Sequence, residues 1–198
     1  MALTRPKASQ INFDVTNITD PLIRLNSGET GSADKDSGVV IERGDDQNRA
    51  IIWDESADQW AFVNTTEDGT TSGNVTIASY AGLKAGELTI TKSAIAEITA
   101  LSDGSTITPD FDAGQNFSVT LAGNRTLANP SNITAGQTGS IFVTQDGTGS
   151  RTLAYGSYWD FAAGTAPTMT TTAAAVDRID YVVRTSTSIH AVATLAYS

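Results

Sequence analysis

Short apolar runs separated by polar turns are the main pattern of this chain. The clearest case is the stretch 38–63, where two turns rich in Asp, Asn and Gly separate the runs Val39–Ile41, Ile51–Trp53 and Trp60–Val63. Gly adopts left-handed backbone conformations, and Asp and Asn side chains bond to the backbone of tight turns, so these residue types mark chain reversals. The pattern predicts a three-stranded antiparallel meander.

The C-terminal half of the chain carries the same pattern over many short segments. Its predicted strands cover residues 105–109, 116–121, 125–127, 139–145, 151–153, 178–185 and 188–195. Phe117, Val119 and Leu121 share one face of their strand, as do Ile141 and Val143, and two such faces packed together form the core of a sandwich. We therefore predict an all-β fold, with an N-terminal β-meander module, a C-terminal antiparallel β-sandwich or jelly-roll-like module, and a short connector between them.

Residues 93–103 differ in composition from the modules on either side. Ile95, Ile98 and Leu101 recur every three residues, and Ser93 suits an N-cap position. This spacing predicts a short helical connector that ends at Gly104. The chain then divides into an N-terminal anchoring arm (1–20), a β-rich shaft or attachment module (21–92), the connector (93–103) and a C-terminal β-sandwich tip module (104–198).

Two sets of apolar side chains are candidates for contacts with other subunits or with a particle. Ile11, Phe13 and Val15 alternate with polar residues, as in a half-buried strand. This run would pair either with the chain's own sheet or with a neighbouring subunit, to which it would add a strand. Trp53 and Trp60 flank one meander turn, and we expect them to pack across strands or between subunits.

Charge and composition exclude several classes of partner. The formal net charge is -10, the isoelectric point is about 4.3, and the 12 basic residues are scattered. Nucleic-acid binding needs a concentrated positive field, and anionic membranes repel an acidic surface. The chain has no cysteine, and no run approaches the ~18 apolar residues of a membrane helix. We predict no nucleic-acid partner, no membrane insertion and no cofactor.

Side chains suited to acid–base chemistry are few, and each has a structural explanation. His190 is the only histidine and lies in a predicted strand. The pairs Asp110/Asp112 and Asp177/Asp180 lie in or beside predicted turns, where Asp reverses the backbone. Sugar depolymerases use paired carboxylates, but they are usually long β-helices, and this chain is too short and lacks such repeats. The Asp-rich turns also do not match a calcium-binding loop with a distal Glu. We predict a protein that is not an enzyme, with no catalytic residues and no metal site.

Aromatic residues cluster in the stretch 155–161. Sugar rings stack on exposed Tyr and Trp faces, so Tyr155, Tyr158 and Trp159 are candidate receptor-binding residues. The alternative is that Trp159 and Phe161 cover the end of the sandwich core, because large aromatic side chains contribute heavily to small cores.

Two stretches of the chain resemble known phage proteins. The stretch 38–63 resembles a segment that recurs in tail-fibre and related virion proteins of tailed bacteriophages. Residues 110–195 are similar to a C-terminal module of many phage tail and fibre proteins, through Leu121–Leu127, Gln145–Arg151 and Trp159 among others. The resemblance implies an oligomeric structural protein of the virion, typically a homotrimer, assembled in the host cytoplasm. It supplies no catalytic residues.

Three functions follow as hypotheses. The first is a tail-fibre or fibre-like appendage subunit that is anchored through its N-terminal part and presents its β-sandwich to the host surface. Its partners would be copies of itself, other virion proteins of the tail or capsid, and a host-surface glycan. The second is a capsid decoration or head-fibre protein. The third is a carbohydrate-binding module or a component of a depolymerase.

Overall fold

The structure, a computed structural model, describes residues 22–69 and 73–197 as two units. The N-terminal unit runs to Leu88, and the C-terminal unit begins at Thr89. The described residues contain strands and one 3₁₀ turn, Ala162–Gly164, and no α-helix. The predicted all-β class is therefore confirmed.

The N-terminal unit is built on the predicted meander. Its strands are β1 (Ser37–Ile41), β2 (Asn48–Asp54), β3 (Gln59–Thr65) and β4 (Ile77–Tyr80). They form one sheet in the order β1-β2-β3-β4, and each neighbouring pair is antiparallel. At the β2–β3 turn, Asp54 Oδ1 accepts the backbone N–H groups of Ser56 and Ala57 at 3.0 and 3.2 Å. These bonds fix the reversal that the Asp-rich sequence predicts.

This sheet has apolar side chains on both faces. Ala50, Ile52, Ala61 and Val63 are buried on one face. The opposite face, here called the open face, carries exposed apolar residues because the runs in β2 and β3 are continuous and do not alternate. The open face consists of Val39, Ile41, Arg49, Ile51, Trp53, Trp60, Phe62 and Asn64.

A single carboxylate closes the buried side of the N-terminal unit. Asp36 Oδ1 accepts the backbone N–H of Glu55 at 2.9 Å, and Asp36 Oδ2 accepts the backbone N–H of Val75 at 2.8 Å. Asp36 N–H donates in turn to Asn74 Oδ1 at 3.2 Å. The segment before β1 is thereby joined to the β2–β3 turn and to the segment before β4.

The C-terminal unit contains two sheets. Its strands are β5 (Ile98–Ala100), β6 (Thr106–Ile107), β7 (Asn116–Leu121), β8 (Arg125–Leu127), β9 (Thr138–Gln145), β10 (Leu153–Tyr155), β11 (Trp159–Phe161), β12 (Val176–Thr185) and β13 (Ser188–Tyr197). The larger sheet has the order β11-β13-β12-β9-β7-β5, and the smaller sheet has the order β10-β8-β6.

From β5 to β10 the chain passes back and forth between these two sheets. β5, β7 and β9 lie parallel in the larger sheet, and β6, β8 and β10 lie parallel in the smaller one. Successive passes stack as coils, which the antiparallel β12–β13 hairpin continues beside β9. The register partners Ile98, Asn116 and Ser140 stand 18 and then 24 residues apart. Because the coils differ in length, they leave no fixed period in the sequence.

The predicted strand directions are correct for part of this unit. Antiparallel pairing joins β9 to β12 and β12 to β13, whereas the pairs made by β5, β7 and β11 in the larger sheet, and all pairs of the smaller sheet, are parallel. The alternation of apolar residues identifies the buried face of a strand but carries no information about the direction of its neighbour. Parallel neighbours need a crossover connection, and here strands of the smaller sheet supply it.

The prediction of a helical connector at residues 93–103 is wrong. Ile98–Ala100 form β5, which pairs with β7, and Leu101 N–H donates to Ser118 O at 2.8 Å. Ile95 and Ile98 are both exposed, so the three-residue spacing does not bury a helix face. Pairing with the free edge of β7 overrides the weak local preference of so short a segment.

The two sheets of the C-terminal unit share one hydrophobic core, as expected for a sandwich. Phe111 lies at its centre, with its ring stacked on Phe117 at 5.7 Å and on Tyr181 at 4.6 Å between ring centroids. The predicted inward faces are confirmed. The buried apolar residues of the strands are Ile107, Phe117, Val119, Leu121, Leu127, Ile141, Val143, Leu153, Trp159, Ile179, Tyr181, Val183, Ile189 and Ala191.

Gly139 in β9 provides a test of this close packing. A Cβ atom there would overlap the carbonyl oxygen of Gln115 and would lie 2.7 Å from the Tyr181 hydroxyl, which itself donates to Gln115 O at 2.8 Å. Gly139→Ala should lower the free energy of unfolding by about 1–3 kcal/mol through overpacking. The measurement is urea unfolding of the full chain, followed by hydrogen exchange of the β9 and β12 amides.

Gly147→Ala is the matched control, because no heavy atom lies within 4 Å of a Cβ built there. Equal loss of protection in the two variants would contradict the packing argument.

Candidate functional site

The turn after β9 contains the loop 145–151, and its polar residues are hydrogen-bonded to the backbone. Gln145 is buried, and it accepts from Arg151 N at 2.9 Å and donates to Arg151 O at 3.0 Å. Asp146 Oδ1 accepts the backbone N–H groups of Thr148 and Gly149 at 3.0 and 2.9 Å. These side chains therefore hold the loop 145–151 closed.

Charge pairing reinforces the same turn. Arg151 donates from Nε and Nη2 to Asp146 Oδ2 at 3.0 and 2.7 Å. Elsewhere in the unit, Arg125 donates to both carboxylate oxygens of Asp103, from Nε to Oδ1 at 2.8 Å and from Nη2 to Oδ2 at 2.5 Å. Hydrogen bonds from the two guanidinium groups hold the pKa of Asp146 and of Asp103 below the ordinary value of 3.8.

Asn129 and Gly156 position the aromatic stretch 155–161. Asn129 Oδ1 accepts the backbone N–H of Tyr158 at 2.9 Å, and Gly156 N–H donates to Leu127 O at 2.8 Å. A side chain at Gly156 would overlap Asn129. The segment 156–158 is thereby fixed at the end of β8, the middle strand of the smaller sheet.

Trp159 belongs to the core and is removed from the candidate receptor-binding residues. Its side chain is 6% exposed, and its indole N–H donates to Ala128 O at 3.0 Å. Phe111 and Tyr181 lie edge-on to its ring at 6.4 and 6.2 Å. A sugar ring would have no free indole face on which to stack, so the alternative given by the sequence, a core position, is the observed one.

Tyr155 and Tyr158 are half-buried against the same core. The Tyr155 ring contacts Phe161 edge-on at 4.6 Å, and its hydroxyl is buried without a hydrogen-bond partner among the described residues. Burial, together with the nearby Asp177 carboxylate, raises the pKa of this phenol well above its ordinary range. Receptor binding by Tyr155 and Tyr158 stays a prediction, and only part of each side chain is accessible for it.

The paired carboxylates each have a structural partner. Asp110 Oδ1 accepts from Asp112 N at 3.0 Å and from Asn132 Nδ2 at 2.8 Å, which lowers the pKa of Asp110. Asp177 is buried and accepts the backbone N–H groups of Thr170 and Ala196 at 2.6 and 2.8 Å. Asp110 therefore holds a chain reversal, as the turn interpretation of the sequence expects. Asp177 and Asp180 lie inside β12, so that interpretation is wrong for this pair.

His190 has a serine and a carboxylate near it, but in the wrong order for a catalytic relay. His190 is exposed on β13 and is the register partner of Asp160 on β11. Ser188 Oγ donates directly to Asp160 Oδ2 at 2.6 Å. A relay would need the imidazole between the hydroxyl and the carboxylate.

The open face of the N-terminal sheet is the feature that sequence reasoning identified only in part. Trp53 and Trp60 contact each other across strands, edge-on at 5.8 Å, and the indole N–H of Trp53 donates to Glu55 Oε2 at 2.8 Å. Ile51 and Phe62, which are register partners, lie exposed beside this pair. The signal was present as unbroken apolar runs in place of alternation.

A groove of about 430 Å³ lies on this open face. It is bordered by Ile41, Arg49, Ile51, Phe62, Asn64 and Tyr80, among others. Ile11, Phe13 and Val15, the other predicted contact residues, lie outside the described residues. The groove is the candidate contact site that the structure adds to the two Trp residues.

In residues 22–69 and 73–197, no His, Cys, Asp and Glu side chains gather in groups of three or more that could hold a metal ion. No helix in the same ranges is long and apolar enough to cross a membrane. No protein family, curated protein or solved structure matches the chain.

The core position of Trp159 is testable by truncation. Trp159→Ala should lower the free energy of unfolding by about 3–5 kcal/mol, because it leaves a large cavity and an unpaired Ala128 carbonyl. Val182→Ala is the matched control, since Val182 lies in β12 of the same unit and is 49% exposed. Denaturant titration of both full-length variants checks this, and a Trp159→Ala variant as stable as Val182→Ala would place the ring outside the core.

The lowered carboxylate pKa values give a pH dependence. Asp103, Asp110 and Asp146 have folded-state pKa values below 3.8, so the stability they contribute is complete above that pH and is lost as the pH falls through the folded values. Unfolding midpoints measured from pH 6 to pH 2 should fall below about pH 4. Asp146→Asn keeps the turn acceptor but removes the charge, and should flatten the profile. An unchanged profile would show that the Arg151 pair contributes nothing.

Proposed function

We propose that the chain is a non-enzymatic structural protein of a virion, a tail-fibre or fibre-like appendage subunit. It anchors to the particle through its N-terminal part and presents its C-terminal β unit to the host surface. It assembles with copies of itself and with other virion proteins.

The observation that carries this proposal is the open face of the N-terminal sheet. A folded chain that stays alone rarely exposes contiguous large apolar residues, and such patches mark interaction sites. Here Ile51, Phe62 and Trp60 lie side by side on a regular sheet. This arrangement fits a subunit of a larger assembly.

The residues that carry the resemblance to phage modules support the same function. Gln145, Asp146 and Arg151 direct their side-chain hydrogen bonds to one turn. Such residues preserve the shape of a loop. A module recognisable by its turns is what a structural protein requires.

Attachment would work through repetition. The candidate receptor-binding residues of each C-terminal unit, Tyr155 and Tyr158, are only partly exposed. A single contact with a host-surface glycan would therefore be weak. Several copies held on one particle raise the effective concentration of the remaining sites once the first has bound. Affinity for the host surface would then depend on assembly more than on any one pocket.

Location on the particle is the direct test of this function. Gold-labelled antibodies raised against the C-terminal unit should label the tail region of intact particles, released from cells that produce the chain. Antibodies against the N-terminal unit should label the same particles less, because anchoring covers that unit. Preincubation with purified chain is the control for specificity.

Other results would lead to other functions. Label on the capsid would assign the chain to head decoration. Particles without label, with the chain left free in the lysate, would contradict a virion role and favour a free carbohydrate-binding module.

A further inference from the structure

The open face is exposed to an unusual degree for a regular sheet. Its apolar residues Val39, Ile41, Ile51, Trp60 and Phe62 are between 38% and 66% exposed. Val39, Ile51 and Phe62 lie in register across β1, β2 and β3, so they form one continuous row. Sheets that pack face to face bury rows of this kind at a spacing of about 10 Å.

Charge on the open face fits a second copy of the same chain. The chain has 22 Asp and Glu residues, yet none occupies a strand position of the open face, where Arg49 is the ionisable group. Glu55 approaches this face at the β2–β3 turn, where its carboxylate accepts the indole N–H of Trp53. Copies of a protein with a net charge of -10 repel one another, and carboxylates brought together in an interface would add to that repulsion. No carboxylate of the described residues borders the groove beside Ile51 and Phe62, so this obstacle to self-association is absent there.

One polar atom on the open face lacks a partner. Asn64 Nδ2 donates to Ser79 Oγ at 2.7 Å, but Asn64 Oδ1 is buried without a hydrogen-bond partner among the described residues. Buried acceptors are ordinarily paired. Asn64 borders the groove beside Phe62 and Ile51, so this unpaired acceptor lies next to the surface on which a second molecule would pack.

The small core of the N-terminal unit favours a partner for the open face that is present wherever the chain folds. Its buried apolar cluster consists of Ala50, Ile52, Ala61 and Val63, two of which are alanine. A domain of about 60 residues buries only about 60% of the surface of its unfolded chain, and thin cores are commonly completed by oligomerisation. A copy of the chain meets this need wherever the protein is made.

We infer that the open face is the self-association interface of this protein, and that its occupant is the same N-terminal sheet from other copies of the chain. This inference rests on the proposed function in taking the chain to be a subunit of an assembly. Val39, Ile51 and Phe62 form the buried centre of the interface, and Asn64 and Arg49 lie at its polar margin.

The experiment is light scattering on the full chain and on single-site variants. Wild type should have a mass that is a multiple of 20.7 kDa, three times that value in a trimer. Val39→Glu and Ile51→Glu should raise the dissociation constant by roughly 30-fold or more, as expected for residues at the centre of an interface. Both side chains are already exposed in the single chain, so neither change disrupts the unit's own core.

Val192→Glu is the matched control. Val192 lies on a strand of the C-terminal unit and is 56% exposed, the same fraction as Val39. It should leave the mass at the wild-type value. Deleting residues 1–20 should lower the mass only by the residues removed and leave the number of copies per assembly unchanged, because the sheet and not the arm holds the copies together.

Mixing variants separates a broken interface from a misfolded unit. Ile51→Glu and Ile51→Lys should each dissociate alone, and a mixture of the two should regain the wild-type mass because opposite charges then face each other. A misfolded unit would not be rescued by mixing. Dissociated variants that stay dissociated when mixed would overturn the inference.

Other results would also contradict the proposed interface. A wild-type chain that stays at 20.7 kDa across the concentration range would overturn it, as would open-face variants that keep the wild-type mass. Loss of assembly on deletion of residues 1–20 would assign the open face to the arm. Particle labelling is independent of these masses, so the interface can fail while the virion function stands, and the reverse.

Discussion

The packing of the C-terminal unit depends on one aromatic arrangement at the centre of its core. Phe111 stacks between Phe117 of β7 and Tyr181 of β12, and Trp159 packs edge-on against Phe111 and Tyr181. Close approach of β9 is possible because Gly139 leaves room for the Tyr181 hydroxyl to reach Gln115 O. The coils and the terminal hairpin are thus joined through a few large rings, which contribute most of the burial that a small core needs.

The N-terminal unit differs from the C-terminal unit in the placement of its large apolar side chains. Its buried face is thin and is closed by the hydrogen bonds of Asp36, while its larger apolar side chains lie on the exposed face. Covering the exposed face would bury further apolar area, so the proposed assembly would also stabilise this unit. The C-terminal unit has a larger core, and its buried Gln145 and its Asn129 hold loops in place.

Much of the secondary structure could be read from residue patterns. The meander was predicted from Val39–Ile41, Ile51–Trp53 and Trp60–Val63, and the inward faces of β7 and β9 were predicted from alternation of apolar and polar residues. Local chemistry is sufficient in these places, because turn residues and period-two patterning act over a few positions. The prediction of a short helix at residues 93–103 was wrong because the local helical signal is weak there, and pairing of β5 with β7 overrides it.

The sequence by itself determined the all-β class, the faces of the longer strands and the positions of the turns. Tertiary structure alone decided that β5 to β10 form stacked parallel coils, because pairing direction depends on contacts between residues some 20 positions apart in unequal coils. It also decided that Trp159 is core while Trp60 is exposed, although both lie in similar short strands. Burial is a property of what packs over a side chain, and in this protein the covering residues, Phe111 and Tyr181, come from distant parts of the chain.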